Sequence, residues 1–228
     1  MEKYLFLLRK TALFSGITDT EILSVLHCVE GRLVHKAAGE YIFRAGEAVS
    51  ECGMVLSGCL LITQTDLWGR RNIMAKCLPG DFFGEPYAAT PGSVLNISVS
   101  AEEDSDILML NVGRLLTTCP TACEHHSRLV RNLVSVMAGK VLKFNDKITH
   151  MSKRTTKDKL LSYLSAEALR RGSLSFDIPY DRQQLADYLC VERSAMSTAL
   201  SGLQKEGILK TRGSHFEIDP AFAAQDTI

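Results

Sequence analysis

Near the C-terminus, the spacing of apolar residues predicts two consecutive helices separated by a short turn. Asp181 and Gln184 have the spacing of a capping box, so the first helix is expected to begin there. The second helix is expected to begin near Glu192. The residues predicted to be buried are Leu185, Ala186 and Leu189 in the first helix and Ala195, Met196, Ala199, Leu200 and Leu203 in the second. This arrangement is typical of a helix-turn-helix.

The outward face of the second helix carries one arginine among short polar side chains. Short side chains allow a helix to enter the major groove of DNA, where an arginine can pair with O6 and N7 of guanine. The residues predicted to contact DNA are Arg193, Ser194, Ser197 and Thr198, together with Arg182 at the start of the first helix. An ordinary exposed helix pair has a similar composition, so this segment alone leaves both interpretations open.

The segments on either side extend the pattern. Upstream, residues 156–171 form an amphipathic helical pattern that ends before Gly172. The residues expected to face inward there are Leu160, Leu161, Leu164 and Leu169. Downstream, Gly207 ends the second helix, and alternating apolar residues around Arg212-Gly213-Ser214 predict a hairpin. Three helices closed by a hairpin form a winged helix, which we assign to residues 155–228. Its wing places Lys210, Arg212 and His215 to contact phosphate.

Between Gly39 and Leu110 the pattern changes to short alternating apolar runs separated by glycines. Such runs are typical of antiparallel strands. We assign residues 1–119 to a jelly-roll-like β-roll, and the fold class is therefore α+β.

Residues 120–154 are predicted to form a long helix and a hinge. Apolar residues spaced alternately by four and three positions form a seam that favours pairing of two helices. The seam residues are Val130, Val134, Met137, Val141, Phe144, Ile148 and Met151. Alternatively, this face packs on the β-roll of its own chain. Because Leu129, Leu133, Val136 and Leu142 lie beside the seam, one flank can cover the roll while the seam meets a partner.

Composition adds little to this picture. The 228 residues carry no net charge, so the overall field gives no indication of a nucleic-acid partner. A basic stretch from Lys140 to Lys159 leads into the winged helix, although a solvated helix face explains it equally well. No membrane span, signal peptide or catalytic motif is found, so we expect a cytoplasmic protein without enzymatic activity.

Two segments resemble the Crp/Fnr superfamily of bacterial transcription regulators. They are Pro79–Glu85 (PGDFFGE), with the glycines that precede it, and the helix-turn-helix residues Gln183–Leu189 and Arg193–Ser197. The resemblance covers nearly the whole chain, including Leu13–Ile17 near the start. It implies a cyclic-nucleotide-binding-type β-roll, a dimerisation helix and a winged helix that binds an operator as a dimer. The implied partners are double-stranded DNA, a second copy of the chain and RNA polymerase.

The resemblance also locates an effector pocket at Gly84, Glu85, Leu95 and Asn96. In members that bind cyclic AMP, a glutamate takes the ribose hydroxyl and an arginine about eleven residues later neutralises the phosphate. Here Leu95 stands at the arginine position, and residues 86–95 contain no basic side chain. A phosphate buried without a countercharge is costly, so we expect a signal other than cyclic AMP.

Two further interpretations remain open. Cys119, Cys123, His125 and His126 are weak candidates for metal or haem ligands, as in a gas or redox sensor of the same family, although packed or exposed side chains are commoner at such positions. A regulatory subunit that acts by protein contact is the alternative from another class. No cofactor is identified from the sequence.

Overall fold

The computed structural model describes residues 1–117 and 124–223. The chain divides into two compact units, Met1–Lys140 and Val141–Ile228. The predicted α+β class and the order of roll, long helix and winged helix are confirmed. None of the described helices is long and apolar enough to cross a membrane.

The first unit contains two antiparallel sheets, with strand orders β1-β8-β3-β6 and β2-β7-β4-β5 in the described residues. The strands are β1 (Arg32–Lys36), β2 (Tyr41–Phe43), β3 (Glu51–Ser57), β4 (Leu60–Thr65), β5 (Arg71–Cys77), β6 (Phe82–Phe83), β7 (Ser98–Ala101) and β8 (Ser105–Asn111). Alternation of side chains along each strand supplies the apolar interior of the roll. Gly58 is required in the β3–β4 turn, because its φ is +81° and a Cβ would lie 2.2 Å from the Ser105 Oγ.

Short helices pack against the roll. They are α1 (Leu5–Lys10), α2 (Asp19–Cys28), α3 (Glu85–Ala88) and α4 (Val112–Leu116). A capping box between Thr18 and Glu21 fixes the start of α2. Buried residues of α1 and α2 form one core with the outer face of the sheet that contains β3 and β8.

The long helix α5 extends over Glu124–Met151, and Pro120 lies outside the described residues. Its first half packs on the roll of the same chain through Leu129 and Leu133, which are buried, and through Met137, which is partly buried. Five apolar residues of α5 remain exposed: Val134, Val141, Leu142, Phe144 and Ile148. One flank of α5 therefore packs on the roll, and most of the predicted seam residues lie off this flank. Met137 is an exception, because this seam residue packs on the roll.

The second unit has the predicted winged-helix elements. They are α6 (Thr156–Arg171), β9 (Ser175–Asp177), α7 (Arg182–Leu189), α8 (Arg193–Lys205), β10 (Leu209–Arg212), β11 (His215–Ile218) and α9 (Pro220–Ala223). The capping box of Asp181 and Gln184 is present, and Gly172 ends α6 in the left-handed region. The hairpin is confirmed as β10–β11. A short strand, β9, was missed; it pairs with β11 through three residues.

Two predicted core residues are instead exposed. Leu169 is 80% exposed, because the buried face of α6 follows Leu160, Leu164 and Ala168 and Leu169 lies about 100° away from it. Ala195 is exposed in the first turn of α8, where the buried stripe begins one residue later at Met196.

A buried lysine lies near the end of α5. Lys147 is 5% exposed, and its Nζ lies 4.4 Å from the centre of the Tyr188 ring of α7. One turn later, the Nδ1 of His150 lies 2.8 Å from the Ser162 Oγ of α6. Burial lowers the pKa of Lys147 to about 8 and also lowers the pKa of His150. Within the basic stretch, Lys147 is therefore interior, whereas Lys143 and Lys153 are exposed.

The lowered pKa of Lys147 predicts a pH-dependent stability. Between pH 8 and its ordinary pKa of 10.5, the unfolded chain binds one more proton at this site than the folded chain, so raising the pH stabilises the fold. Lys147→Met is expected to raise the free energy of unfolding at pH 7 by roughly 2 kcal/mol, because the desolvation cost that it removes exceeds the cation–π contact with Tyr188 that it loses. This gain should disappear as the pH approaches 10.5.

Urea unfolding followed by circular dichroism between pH 7 and 10 measures this difference. Lys143→Met, at an exposed position on the same helix, is the control and should have an effect that does not vary with pH. A pH-independent difference between Lys147→Met and the wild type would contradict the prediction.

Candidate nucleic-acid interface and sensor site

The predicted recognition helix, α8, presents its polar residues to solvent. Arg193, Ser194, Ser197 and Thr198 are all exposed. The Thr198 hydroxyl donates to the Ser194 carbonyl at 3.0 Å. Arg193 is the first residue of α8, and within the described part of the chain it makes no hydrogen bond or ion pair. Its guanidinium is therefore available for an external partner.

The wing adds positive charge beside this helix. Lys210 and Arg212 are exposed on β10, and Gly213 forms the tip with a φ of +61°. His215, which the sequence placed among the phosphate contacts, is instead surrounded by acidic and polar groups. Its Nδ1 lies 3.2 Å from Asp177 Oδ1, and its Nε2 lies 3.2 Å from Ser175 Oγ and 3.7 Å from Glu217 Oε1. Two carboxylates make this position unfavourable for a phosphate.

Arg182 does not extend into solvent as the other predicted contacts do. Its Nη2 donates to the Thr211 Oγ1 at 2.6 Å, and its guanidinium lies 5.0 Å from the centre of the Phe216 ring. Burial lowers its pKa, although an arginine remains charged at neutral pH. The structure therefore places Arg182 between α7 and the wing.

In the roll, Gly84 and Glu85 begin α3. Gly84 has a φ of +84°, and a Cβ there would lie 2.8 Å from Phe43 Cε2, so both conformation and space require glycine. This turn directs the Glu85 side chain inward, where it is 1% exposed.

The Glu85 carboxylate is paired with a lysine of the long helix. Lys140 Nζ lies 2.5 Å from Glu85 Oε1 and also donates to the Phe82 carbonyl. This contact is an ion pair without hydrogen-bonding geometry, because neither Glu85 oxygen has a hydrogen-bond partner among the described residues. A buried carboxylate in this state depends on Lys140 for charge compensation. No local spacing indicates this pair, since Lys140 lies 55 positions from Glu85, within a basic stretch that a solvated helix face explains equally well.

Leu95 and Asn96 lie in different environments. Leu95 is 2% exposed and belongs to the apolar interior with Phe43, Phe83 and Val99. Asn96 is exposed, and its Oδ1 accepts a hydrogen bond from the Tyr87 hydroxyl. The arginine position of the cyclic-AMP-binding members is thus occupied by a packed hydrocarbon side chain.

The weak metal candidates are not brought together in the described residues. Cys119 and Cys123 lie outside them. His126 is 4% exposed, and its Nε2 lies 3.0 Å from the Leu115 carbonyl, which indicates a packing role, whereas His125 is only partly buried. Across residues 1–117 and 124–223, no three His, Cys, Asp or Glu side chains form a metal-binding group.

Comparison with known proteins agrees with this division of the chain. The family model of the cyclic nucleotide-binding domain matches residues 33–121, and that of the Crp-like helix-turn-helix domain matches residues 158–221. Together they span about two thirds of the chain.

Relatives match over nearly the full length. The transcriptional activator protein FnrL of Cereibacter sphaeroides is 23% identical and covers 90% of this chain and 83% of its own length. The nitrogen fixation regulation protein FixK of Bradyrhizobium diazoefficiens is 24% identical, covering 94% and 89%. The structure of FixK2 from Bradyrhizobium japonicum has a TM-score of 0.63 at 21% identity and covers 85% of this chain and 96% of that one.

These relatives are transcription regulators rather than enzymes. The two matched domains, in the order that the structure displays, show that the chain belongs to the Crp/Fnr superfamily of transcription regulators, which bind DNA and act as dimers.

Proposed function

We propose that this regulator reads a two-fold operator with α8 and the wing, pairs through the exposed seam of α5, and responds to a signal other than cyclic AMP. The observation that carries the proposal is the free guanidinium of Arg193 among short side chains, beside the basic strand β10. A helix of this composition fits the major groove, and a basic wing fits the adjacent phosphates.

The contacts divide by role. Arg193 donates two hydrogen bonds to one guanine, and Ser194, Ser197 and Thr198 contact neighbouring bases or phosphates. Lys210 and Arg212 neutralise the backbone. Because two copies related by a two-fold axis present two recognition helices, the operator is palindromic, with half-sites about one helical turn apart.

Pairing of two copies accounts for the exposed apolar stripe of α5. Val134, Val141 and Ile148 are 63%, 58% and 63% exposed. A stripe of large apolar residues repeated along a helix is typical of an interface. The neighbouring flank of α5, with Leu129 and Leu133, already packs on the roll, so we assign the stripe to a second copy.

The sensor site disfavours a cyclic nucleotide on two counts. Leu95 supplies no charge for a phosphate and fills the interior, and the buried Glu85 carboxylate already forms an ion pair with Lys140 through Oε1. We also propose RNA polymerase as a partner and the cytoplasm as the compartment, supported by the activator function of relatives such as FnrL.

Val134→Asp is expected to shift the protein towards monomer, because it places two like charges in an apolar interface. Sedimentation at micromolar concentration measures the effect. Ser135→Asp is the matched control: this adjacent residue is exposed and lies off the stripe, so dimerisation should be retained. A wild type that is already monomeric, or equal effects of both variants, would contradict pairing through the stripe.

Arg193→Ala is expected to cost about 1 to 3 kcal/mol of operator binding and to relax selectivity at one guanine. Lys210→Ala and Arg212→Ala should weaken operator and scrambled DNA alike and flatten the salt dependence. Binding to a selected operator and a scrambled control across a salt series separates these roles. If Arg193→Ala weakens both DNAs equally, Arg193 contacts phosphate and the proposed register of α8 is wrong.

Calorimetric titration with cyclic AMP and cyclic GMP is expected to detect no binding tighter than about 1 mM, or about 4 kcal/mol. Adenosine provides the control, since without a phosphate anchor the cyclic nucleotide should bind no more tightly than the nucleoside. Micromolar affinity for either cyclic nucleotide would show that another residue supplies the missing charge.

A further inference from the structure

We infer that Arg182 is a positioning residue that orients the wing for DNA, rather than a phosphate ligand. The inference rests on the proposed function, because it assigns a role within the same DNA-binding surface. Two groups contact the guanidinium: the Thr211 hydroxyl and the Phe216 ring.

The hydrogen bond from Arg182 to Thr211 is followed by a second one that crosses the hairpin. Thr211 Oγ1 accepts from Arg182 Nη2 at 2.6 Å and donates to the His215 carbonyl at 2.9 Å. The hydroxyl therefore joins the start of α7 to both strands of the wing, since Thr211 belongs to β10 and His215 to β11. A hydrogen bond from a charged donor is stronger than one between neutral groups.

The Arg182 guanidinium is held in this position by its surroundings. Its Nη1 is buried and has no hydrogen-bond partner among the described residues, while the Phe216 ring beneath it is 0% exposed. The face of an aromatic ring partly compensates a buried cation. Moving Arg182 outward to a phosphate would break the bond to Thr211 and uncover Phe216.

Strand geometry connects this contact to the basic residues. Successive side chains of a strand point to opposite faces, so Thr211 points inward to Arg182 while Lys210 and Arg212 on either side of it point outward. Fixing Thr211 therefore fixes both cations of the wing, and Arg182 acts on DNA through them.

Thr211→Val tests this assignment, because it removes the hydroxyl with little change of shape and leaves the Arg182 charge intact. Thr211→Ser retains the hydroxyl and is the matched control. Each variant is combined with Arg212→Ala, and operator affinity is measured across a salt series. In the wild type, Arg212→Ala should lower the magnitude of the salt slope by about 1. We expect Arg212→Ala to change the salt slope clearly less in the Thr211→Val background, and by the full amount in the Thr211→Ser background.

A second measurement does not depend on DNA. Amide hydrogen exchange of β10 and β11 in the free protein should accelerate several-fold in Thr211→Val, while exchange in α8 stays unchanged. Thr211→Ser should match the wild type. If the hairpin exchanges faster in Thr211→Val but the wild type binds no DNA, the proposed function is rejected, whereas the anchoring of the wing by Arg182 is retained.

A role of Arg182 as a phosphate ligand predicts different results. If Thr211→Val leaves hairpin exchange and the Arg212→Ala effect unchanged, and Arg182→Met lowers the salt slope by about 1 additively with Arg212→Ala, then Arg182 is a phosphate ligand. That outcome overturns the inference without affecting the proposed reading of DNA by Arg193.

Discussion

The distribution of apolar surface around α5 is the constraint on which the rest of the structure depends. A helix of 28 residues with apolar side chains on more than one face needs more than one covering surface. The roll covers Leu129 and Leu133, and α6 and α7 enclose Lys147 and His150 near the other end. Val134, Val141, Phe144 and Ile148 remain exposed, and they form the stripe that we propose for pairing with a second copy.

Two lysines of the same helix contact buried groups: Lys140, which is partly buried, and Lys147, which is buried. Lys140 compensates the buried charge of Glu85, whereas Lys147 is placed against an aromatic ring and is less stable when charged. The two lysines differ in their effect on stability. Removing Lys140 would leave an uncompensated carboxylate, whereas removing the charge of Lys147 would remove a desolvation cost. Similar side chains on one helix thus have opposite effects on stability.

The periodic parts of the fold could be predicted from the sequence. The 3.6-residue pattern defined α6 over its full length, and the capping box located the start of α7, because both signals are local. Leu169 and Ala195 were misplaced, since the edge of an apolar stripe depends on what packs against it. The three residues of β9 were too few for a pattern. The partners of Arg182, Glu85 and Lys147 come from distant segments, and a single sequence does not encode such pairings in any local spacing.

The packing around Leu95 limits which substitutions the interior of the roll can accept. An arginine introduced at that position would enter a tightly packed interior beside Phe43 and Val99 and, without a bound anion, would remain an unpaired buried cation. Such a substitution costs several kcal/mol, a large part of the stability of an ordinary domain. A single change of Leu95 to arginine would therefore weaken the roll itself, and a variant that bound an anion at this position would also need smaller neighbouring side chains.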